Sequence, residues 1–193
     1  MTHRFALALI AAAALLTPAA IAQPAADLVP VELDTSLGRI VIAVDRGHAP
    51  LTSANFLAYV DAHALDGEGF YRAMPYGPGG GLVQGGITSD ARKLKPPVAF
   101  ESTARTGLHN VAGTIAMAAL APGQAQSDFF IMTIDIPAFD GDQGFAAFGQ
   151  VVEGMEVVKK ILGAPVSATR GEGVMKGQML EPVVTILKAA RVK

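Results

Sequence analysis

Several residue types in this chain could take part in catalysis or metal binding, but their spacing matches none of the common catalytic or metal-binding motifs. The glycine-rich run at 77–81 has no lysine, and no strand-to-helix junction follows it, so it predicts a surface loop rather than a phosphate cradle. The run Asp-Gly-Asp-Gln-Gly at 140–144 lacks the third oxygen ligand and the closing Glu of a calcium loop, and predicts a tight turn. His48, His63 and His109 lack the spacing of zinc ligands. No serine lies in a nucleophile elbow, so a hydrolase has no candidate nucleophile.

Composition narrows the chemistry further. The 193 residues contain no cysteine, which excludes a thiol nucleophile, disulfide bonds and a lipid-attached cysteine. The formal net charge is only -2, so the chain has no electrostatic basis for binding nucleic acid or an anionic membrane. We therefore expect neither as a partner.

The first 22 residues are typical of a secretory signal peptide. A short start containing Arg4 precedes an unbroken apolar run at 5–16, and Ala20 and Ala22 supply the small residues that a signal peptidase reads. We expect cleavage after Ala22, with an uncleaved anchor as the alternative. Removal of Arg4 would change the net charge from -2 to -3. Export without disulfides favours a bacterial periplasm or the cell exterior.

The remaining residues, 23–193, predict one domain that is mostly β. Alternating apolar and polar residues predict an N-terminal hairpin with its turn at 35–38. Two helices are expected, one from Pro50 to about 65–67 and one around 155–162 that ends at Gly163. Further strands are predicted at 70–72, 82–86, 114–118, 128–133, 146–151 and 183–190. Many short strands, two short helices and 21 glycines indicate a β-barrel or sandwich.

Six segments, in order, resemble the cyclophilin family of peptidyl-prolyl cis-trans isomerases. They are Phe-Tyr-Arg-Ala-Met-Pro at 70–75, Val-Gln-Gly-Gly at 83–86, Gly-Thr-Ile-Ala-Met-Ala at 113–118, Ser-Asp-Phe-Phe-Ile at 127–131, Phe-Asp-Gly at 139–141 and Phe-Gly-Gln-Val at 148–151. The similarity covers roughly residues 29 to 192. It implies a single closed β-barrel capped by two helices, and an enzyme with no cofactor or metal. The implied partners are proline-containing unfolded or partly folded polypeptides, and we expect a monomer.

Prolyl isomerisation requires rotation about a bond with a barrier of about 18–20 kcal/mol, and no covalent bond is broken. A hydrogen-bond donor near the prolyl nitrogen engages its lone pair when the amide twists, and so stabilises the transition state. The resemblance assigns this catalytic role to Arg72, whose guanidinium is always charged and has several fixed donors.

The resemblance also assigns a substrate-binding set. Gln84 would form a hydrogen bond with the substrate, and Ala118 and Ala119 would offer main-chain groups to it. Phe130 would form the floor of the proline pocket. The pocket wall would comprise Met117, Leu82 and Phe139, although for Met117 a place in the core is an equal alternative.

Several positions depart from the family pattern. Asp128 replaces the usual glutamine and adds a negative charge near Arg72, which would either orient the arginine or compete with substrate for it. Phe145 lies where a histidine often lines the pocket. About four extra residues, including Gly77 to Gly81, lie between Arg72 and Gln84, and we interpret them as a mobile flap that selects substrates.

Two other functions compete with an isomerase of exported proteins. A peptide-binding chaperone of the same fold, with weak or no catalysis, would keep the pocket phenylalanines but would not depend on Arg72. An exported carrier of a small ligand would need a hollow barrel, whereas the alternating apolar residues are numerous enough to fill a small one.

Overall fold

Eight antiparallel strands close into a barrel in the computed structural model, which describes residues 27–192. The predicted signal peptide lies outside the described residues. Around the barrel the strands follow the order β1-β2-β7-β5-β6-β4-β3-β8. Their bounds are Leu28–Thr35 (β1), Gly38–Asp45 (β2), Gly69–Pro75 (β3), Gly81–Gly86 (β4), Thr114–Met117 (β5), Phe129–Met132 (β6), Ala147–Glu153 (β7) and Met179–Arg191 (β8). The prediction of a mostly β, closed barrel is confirmed.

Within residues 27–192 three α-helices accompany the barrel: Pro50–Asp61 (α1), Thr103–Thr106 (α2) and Met155–Leu162 (α3). The two predicted helices are α1 and α3, and the one-turn α2 was not predicted. Helix α1 ends earlier than expected because His63 adopts a left-handed φ of 53°. No helix in the described range is long and apolar enough to cross a membrane.

The sheet has an apolar side chain cluster on each of its two faces. All eight strands contribute to the larger cluster inside the barrel, for example through Ile115, Phe129 and Val184. A smaller cluster lies outside, on β4, β5 and β6. Adjacent residues alternate between the two, since successive side chains of a strand point to opposite faces. In the described residues the barrel interior is filled by side chains, which argues against a carrier that holds its ligand there.

A bulge in β3 aims the site residues. Phe70 pairs with Gly85 of β4 and Arg72 pairs with Gln84, so Tyr71 is an extra residue with no partner of its own. Phe70 points into the barrel core, while the bulge directs both Tyr71 and Arg72 away from it. Bulges commonly re-aim side chains in this way beside functional sites.

Phe129 connects the strand that carries the site to the barrel core, so its truncation tests the fold. Its ring centroid lies 5.5 Å from that of Phe56 and 5.7 Å from that of Phe70. We expect Phe129→Ala to lower the free energy of unfolding by about 3–5 kcal/mol, because it leaves a cavity in a packed core. Urea unfolding measures this change. The exposed Leu187→Ala variant is the control, with an expected change below about 0.5 kcal/mol. A loss below about 1 kcal/mol for Phe129→Ala would contradict this packing.

Candidate active site

The candidate active site is a cavity of about 340 Å³ on the outer face of the barrel, over the second apolar cluster. Strands β3, β4 and β6 supply its floor, and loops after β5, β6 and α3 supply its walls. All the predicted site residues except Met117 line it: Arg72, Leu82, Gln84, Ala118, Ala119, Asp128, Phe130, Phe139 and Phe145. Strand pairing therefore brings together residues from distant parts of the chain.

Three phenylalanines form the apolar wall. The centroids of Phe130 and Phe145 are 5.1 Å apart, those of Phe139 and Phe145 are 4.8 Å apart, and every pair packs edge to face. The amide Nδ2 of buried Asn110 donates to the carbonyls of Phe139 and Phe145, at 2.9 Å and 3.2 Å. Gly144 lets the intervening loop close tightly, since a Cβ there would lie 2.0 Å from the Phe139 carbonyl oxygen. The wall therefore presents an apolar aromatic surface, as the predicted proline pocket requires.

Arg72 lies at the polar side of this cavity with only neutral partners. Its Nε donates to Gln178 Oε1 at 2.8 Å, and its Nη1 donates to Gln84 Oε1 at 3.0 Å. Its Nη2 lies 3.2 Å from the sulfur of Met74. None of the ion pairs among residues 27–192 includes Arg72. Its position is fixed, and its positive charge remains uncancelled.

Asp128 does not contact Arg72 directly. Its carboxylate accepts a hydrogen bond of 2.8 Å from the hydroxyl of Tyr71, whose oxygen in turn accepts one of 2.6 Å from Gln84 Nε2. Of the two roles considered for Asp128, orientation of Arg72 is the one with a connected path, and that path runs through two other side chains.

Burial changes the protonation equilibria of this group of side chains. It lowers the pKa of Arg72, although an arginine remains protonated in proteins. Burial and the nearby charge of Asp128 both raise the pKa of the Tyr71 hydroxyl. Burial also raises the pKa of Asp128, partly offset by hydrogen bonds from Tyr71 and Ser127. At neutral pH the site therefore combines a cation, a neutral phenol and a carboxylate that has no cation in contact.

Main-chain groups of the next loop face the same cavity. The amide of Ala118 donates to the Asp128 carbonyl at 2.8 Å. In the described part of the chain, the Ala118 carbonyl and both backbone groups of Ala119 have no hydrogen-bond partner. These are the groups available to an extended peptide.

Met117 is the one predicted site residue that the structure places elsewhere. Its side chain is buried in the barrel core and lines a smaller, adjacent cavity that shares Ala119, Leu120 and Phe145 with the candidate site. The reason is strand alternation, because Met117 points the same way as Ile115, whereas Ala116 faces outward against Phe130. Of the two alternatives for Met117, the core placement is correct, and Ala116 occupies the pocket side.

Four residues at the cavity were not anticipated: Met74, Leu120, Met175 and Gln178. Met74 follows Arg72 by two in the same strand, a spacing that the sequence does show. Gln178 and Met175 belong to the glycine-rich connection before β8. They reach the site because Arg72 pairs with Met179 and the Ala73 amide donates to the Gln178 carbonyl at 2.9 Å.

The glycine-rich insertion forms the tip of the β3–β4 hairpin beside the cavity. The Tyr76 amide donates to the Gly80 carbonyl at 2.8 Å, and the Gly81 amide donates to Thr133 Oγ1 at 2.9 Å. The Tyr76 ring packs against Phe139, with a centroid distance of 6.0 Å. The base of the loop is thus anchored to the pocket wall, and its role as a flap stays a prediction.

Comparison with known proteins identifies the family. The family model described as cyclophilin type peptidyl-prolyl cis-trans isomerase/CLD matches residues 30–190. The chain belongs to the cyclophilin family. This cyclophilin is 38% identical over 142 residues to a peptidyl-prolyl cis-trans isomerase of Acinetobacter baylyi, covering 71% of the chain and 73% of the relative. It is 43% identical over 138 residues to isomerase A of Dickeya dadantii, covering 68% and 70%. It is thus a peptidyl-prolyl cis-trans isomerase.

The fold of this cyclophilin also matches that of a solved structure. A cyclophilin type peptidyl-prolyl cis-trans isomerase from Cryptosporidium parvum superimposes with a TM-score of 0.70 at 19% identity, covering 86% of this chain and 99% of that one. At that identity the likeness concerns the fold alone.

Gln178 provides a test of how the arginine is held. We expect Gln178→Ala to lower kcat/KM about fivefold, or roughly 1 kcal/mol, because Arg72 Nε loses its acceptor. Peptide isomerisation rates measure this effect. Gln150→Ala is the matched control, since Gln150 also makes side-chain hydrogen bonds but lies on β7, away from the cavity. Equal rates for Gln178→Ala and the parent would show that the Nε contact is dispensable.

Proposed function

We propose that this isomerase accelerates X-Pro isomerisation during the folding of exported proteins, with Arg72 as the catalytic cation. The observation that carries the proposal is the guanidinium of Arg72, which is fixed by neutral acceptors at the polar edge of an aromatic pocket. A module that only bound peptides would have no need of an uncancelled charge there.

The catalytic step follows from this arrangement. The proline ring packs against Phe130, Phe139 and Phe145, and the peptide on either side pairs with free backbone groups of Ala118 and Ala119. Rotation about the amide localises the lone pair on the prolyl nitrogen, and a donor from Arg72 stabilises that twisted state more than the planar one. Gln84 accepts a hydrogen bond from the guanidinium and donates one Nε2 hydrogen to Tyr71, which leaves its second Nε2 hydrogen for the substrate. No bond breaks, and no proton leaves the enzyme.

Substitution of Arg72 tests this assignment. We expect Arg72→Ala to lower kcat/KM at least tenfold, equivalent to about 1.4 kcal/mol or more of lost transition-state stabilisation. Arg72→Lys should retain an intermediate activity, because it keeps the charge but not the fixed donors. NMR exchange on a short X-Pro peptide measures these rates without a coupled protease.

The control for charge removal is Arg46→Ala, an exposed arginine whose ion pair with Asp27 is 3.4 Å long. It should behave as the parent. Equal rates for Arg72→Ala and the parent would contradict the catalytic role of Arg72. Catalysis absent from the parent itself would favour the chaperone alternative.

We further propose that residues 1–22 are a cleaved signal peptide, and that residues 23–193 act as a monomer in a bacterial periplasm or outside the cell. The Arg4 start, the apolar run and the small residues Ala20 and Ala22 support this, as does the absence of cysteine. Clients in such a compartment would be newly exported chains, because slow X-Pro isomerisation limits their folding.

Expression of the full chain in a Gram-negative bacterium tests the export proposal. We expect the mature protein in the periplasmic fraction, because the peptidase reads Ala20 and Ala22. Its intact mass should correspond to a chain that starts at Gln23. A variant with both alanines replaced by aspartate should keep residues 1–22. Recovery of the uncleaved parent chain in the cytoplasm would overturn the proposal.

A further inference from the structure

A continuous chain of side-chain hydrogen bonds links Asp128 to Arg72. Arg72 Nη1 donates to Gln84 Oε1 at 3.0 Å, Gln84 Nε2 donates to the Tyr71 oxygen at 2.6 Å, and the Tyr71 hydroxyl donates to Asp128 Oδ2 at 2.8 Å. The four groups come from β3, β4 and the residue before β6. All four are partly buried.

The chemistry of the two ends fixes the direction of every bond in this chain. A guanidinium can only donate, and an ionised carboxylate can only accept. Gln84 must therefore turn its oxygen to Arg72 and its nitrogen to Tyr71. Tyr71 can accept from that nitrogen because its own proton is committed to Asp128. If Asp128 were protonated it could donate to Tyr71 instead, and the order of the chain would no longer be unique.

The backbone is shaped to bring these groups together. Tyr71 reaches Asp128 because it is the extra residue of the β3 bulge. Asp128 packs directly on Gly86, where an added Cβ would lie 2.1 Å from Asp128 Oδ1. No ion pair among residues 27–192 includes Asp128, so its ionised form is partly desolvated without a cation in contact. Such a carboxylate costs stability, and a positioning role accounts for it.

We propose that Tyr71 and Asp128 are positioning residues that orient the amide of Gln84, and through it the catalytic guanidinium of Arg72. The proposal rests on the role of Arg72 proposed above. Neither residue touches the reacting bond, and both would act on catalysis through Gln84.

The test compares Tyr71→Phe, Asp128→Asn and the double variant with the parent by NMR exchange on a short X-Pro peptide. We expect Tyr71→Phe to lower kcat at least fivefold with KM changed less than twofold, because the substrate pocket stays intact. Asp128→Asn should lower kcat two- to fivefold. The kcat of the double variant should equal that of Tyr71→Phe, because Asp128 cannot act on Gln84 once the Tyr71 hydroxyl is removed.

Stability separates a positioning role from a merely structural one. Burial favours the protonated form of Asp128, so the uncharged Asn of Asp128→Asn should be tolerated at least as well at neutral pH. We therefore expect the variant to have an unfolding midpoint equal to or higher than that of the parent, although its kcat is lower. Tyr59→Phe is the matched control for loss of a buried tyrosine hydroxyl. Its hydroxyl accepts from the Lys95 amide at 2.8 Å, away from the cavity, and the variant should keep the parent kcat.

The pH profile gives a second independent readout. The parent kcat should fall as the solution is acidified and Asp128 takes up a proton, and this fall should be absent from Asp128→Asn. The charge of Asp128 raises the pKa of Tyr71 of β3 and of Tyr59 of α1, and both tyrosines lose their protons only at alkaline pH. Arg72 stays charged throughout.

Three outcomes would overturn the inference: a Tyr71→Phe kcat within twofold of the parent, losses that multiply in the double variant, or an acid fall that persists in Asp128→Asn. With Arg72→Ala measured in parallel, these outcomes are distinct from failure of the proposed function. If Arg72→Ala is slow and Tyr71→Phe is not, the inference alone fails. If Arg72→Ala matches the parent, the proposed function fails.

Discussion

The uncancelled charge of Arg72 is the constraint around which the outer face of the barrel is organised. A buried guanidinium needs partners, yet a carboxylate partner would neutralise the charge that the proposed catalytic role of Arg72 requires. The chain resolves this conflict with amide oxygens from Gln84 and Gln178, which accept hydrogen bonds and bring no net charge. The acidic group, Asp128, is kept two side chains away.

Strand geometry explains how one sheet can serve as both a core and a site. On β4, β5 and β6 alternate residues fill the barrel interior, and the intervening ones build the floor of the pocket. The same rigid strands therefore set the packing and the site geometry. The bulge in β3 is the local exception, and it delivers the two consecutive residues Tyr71 and Arg72 to one side.

The sequence predicted the architecture well because its signals are local. The alternation at the N-terminal hairpin, Pro50 at the start of α1 and the ordered family motifs all lie within short segments. The site was harder to predict where long-range pairing decides. Gln178 meets Arg72 across 106 residues, and no local pattern marks it. Met117 was uncertain because a methionine suits a core and a pocket equally, and only the alternation relative to Ile115 distinguishes them.

Closure of the barrel also limits how this protein can contact an unfolded polypeptide. In the closed order of the described strands each has a neighbour on both sides, so no edge offers a row of free backbone groups. A polypeptide substrate therefore cannot extend the sheet, and the unpaired backbone groups of Ala118 and Ala119 beside the cavity are the ones with which we propose that it pairs. An isomerase built in this way can act on unfolded, aggregation-prone polypeptides without serving as a template for their aggregation.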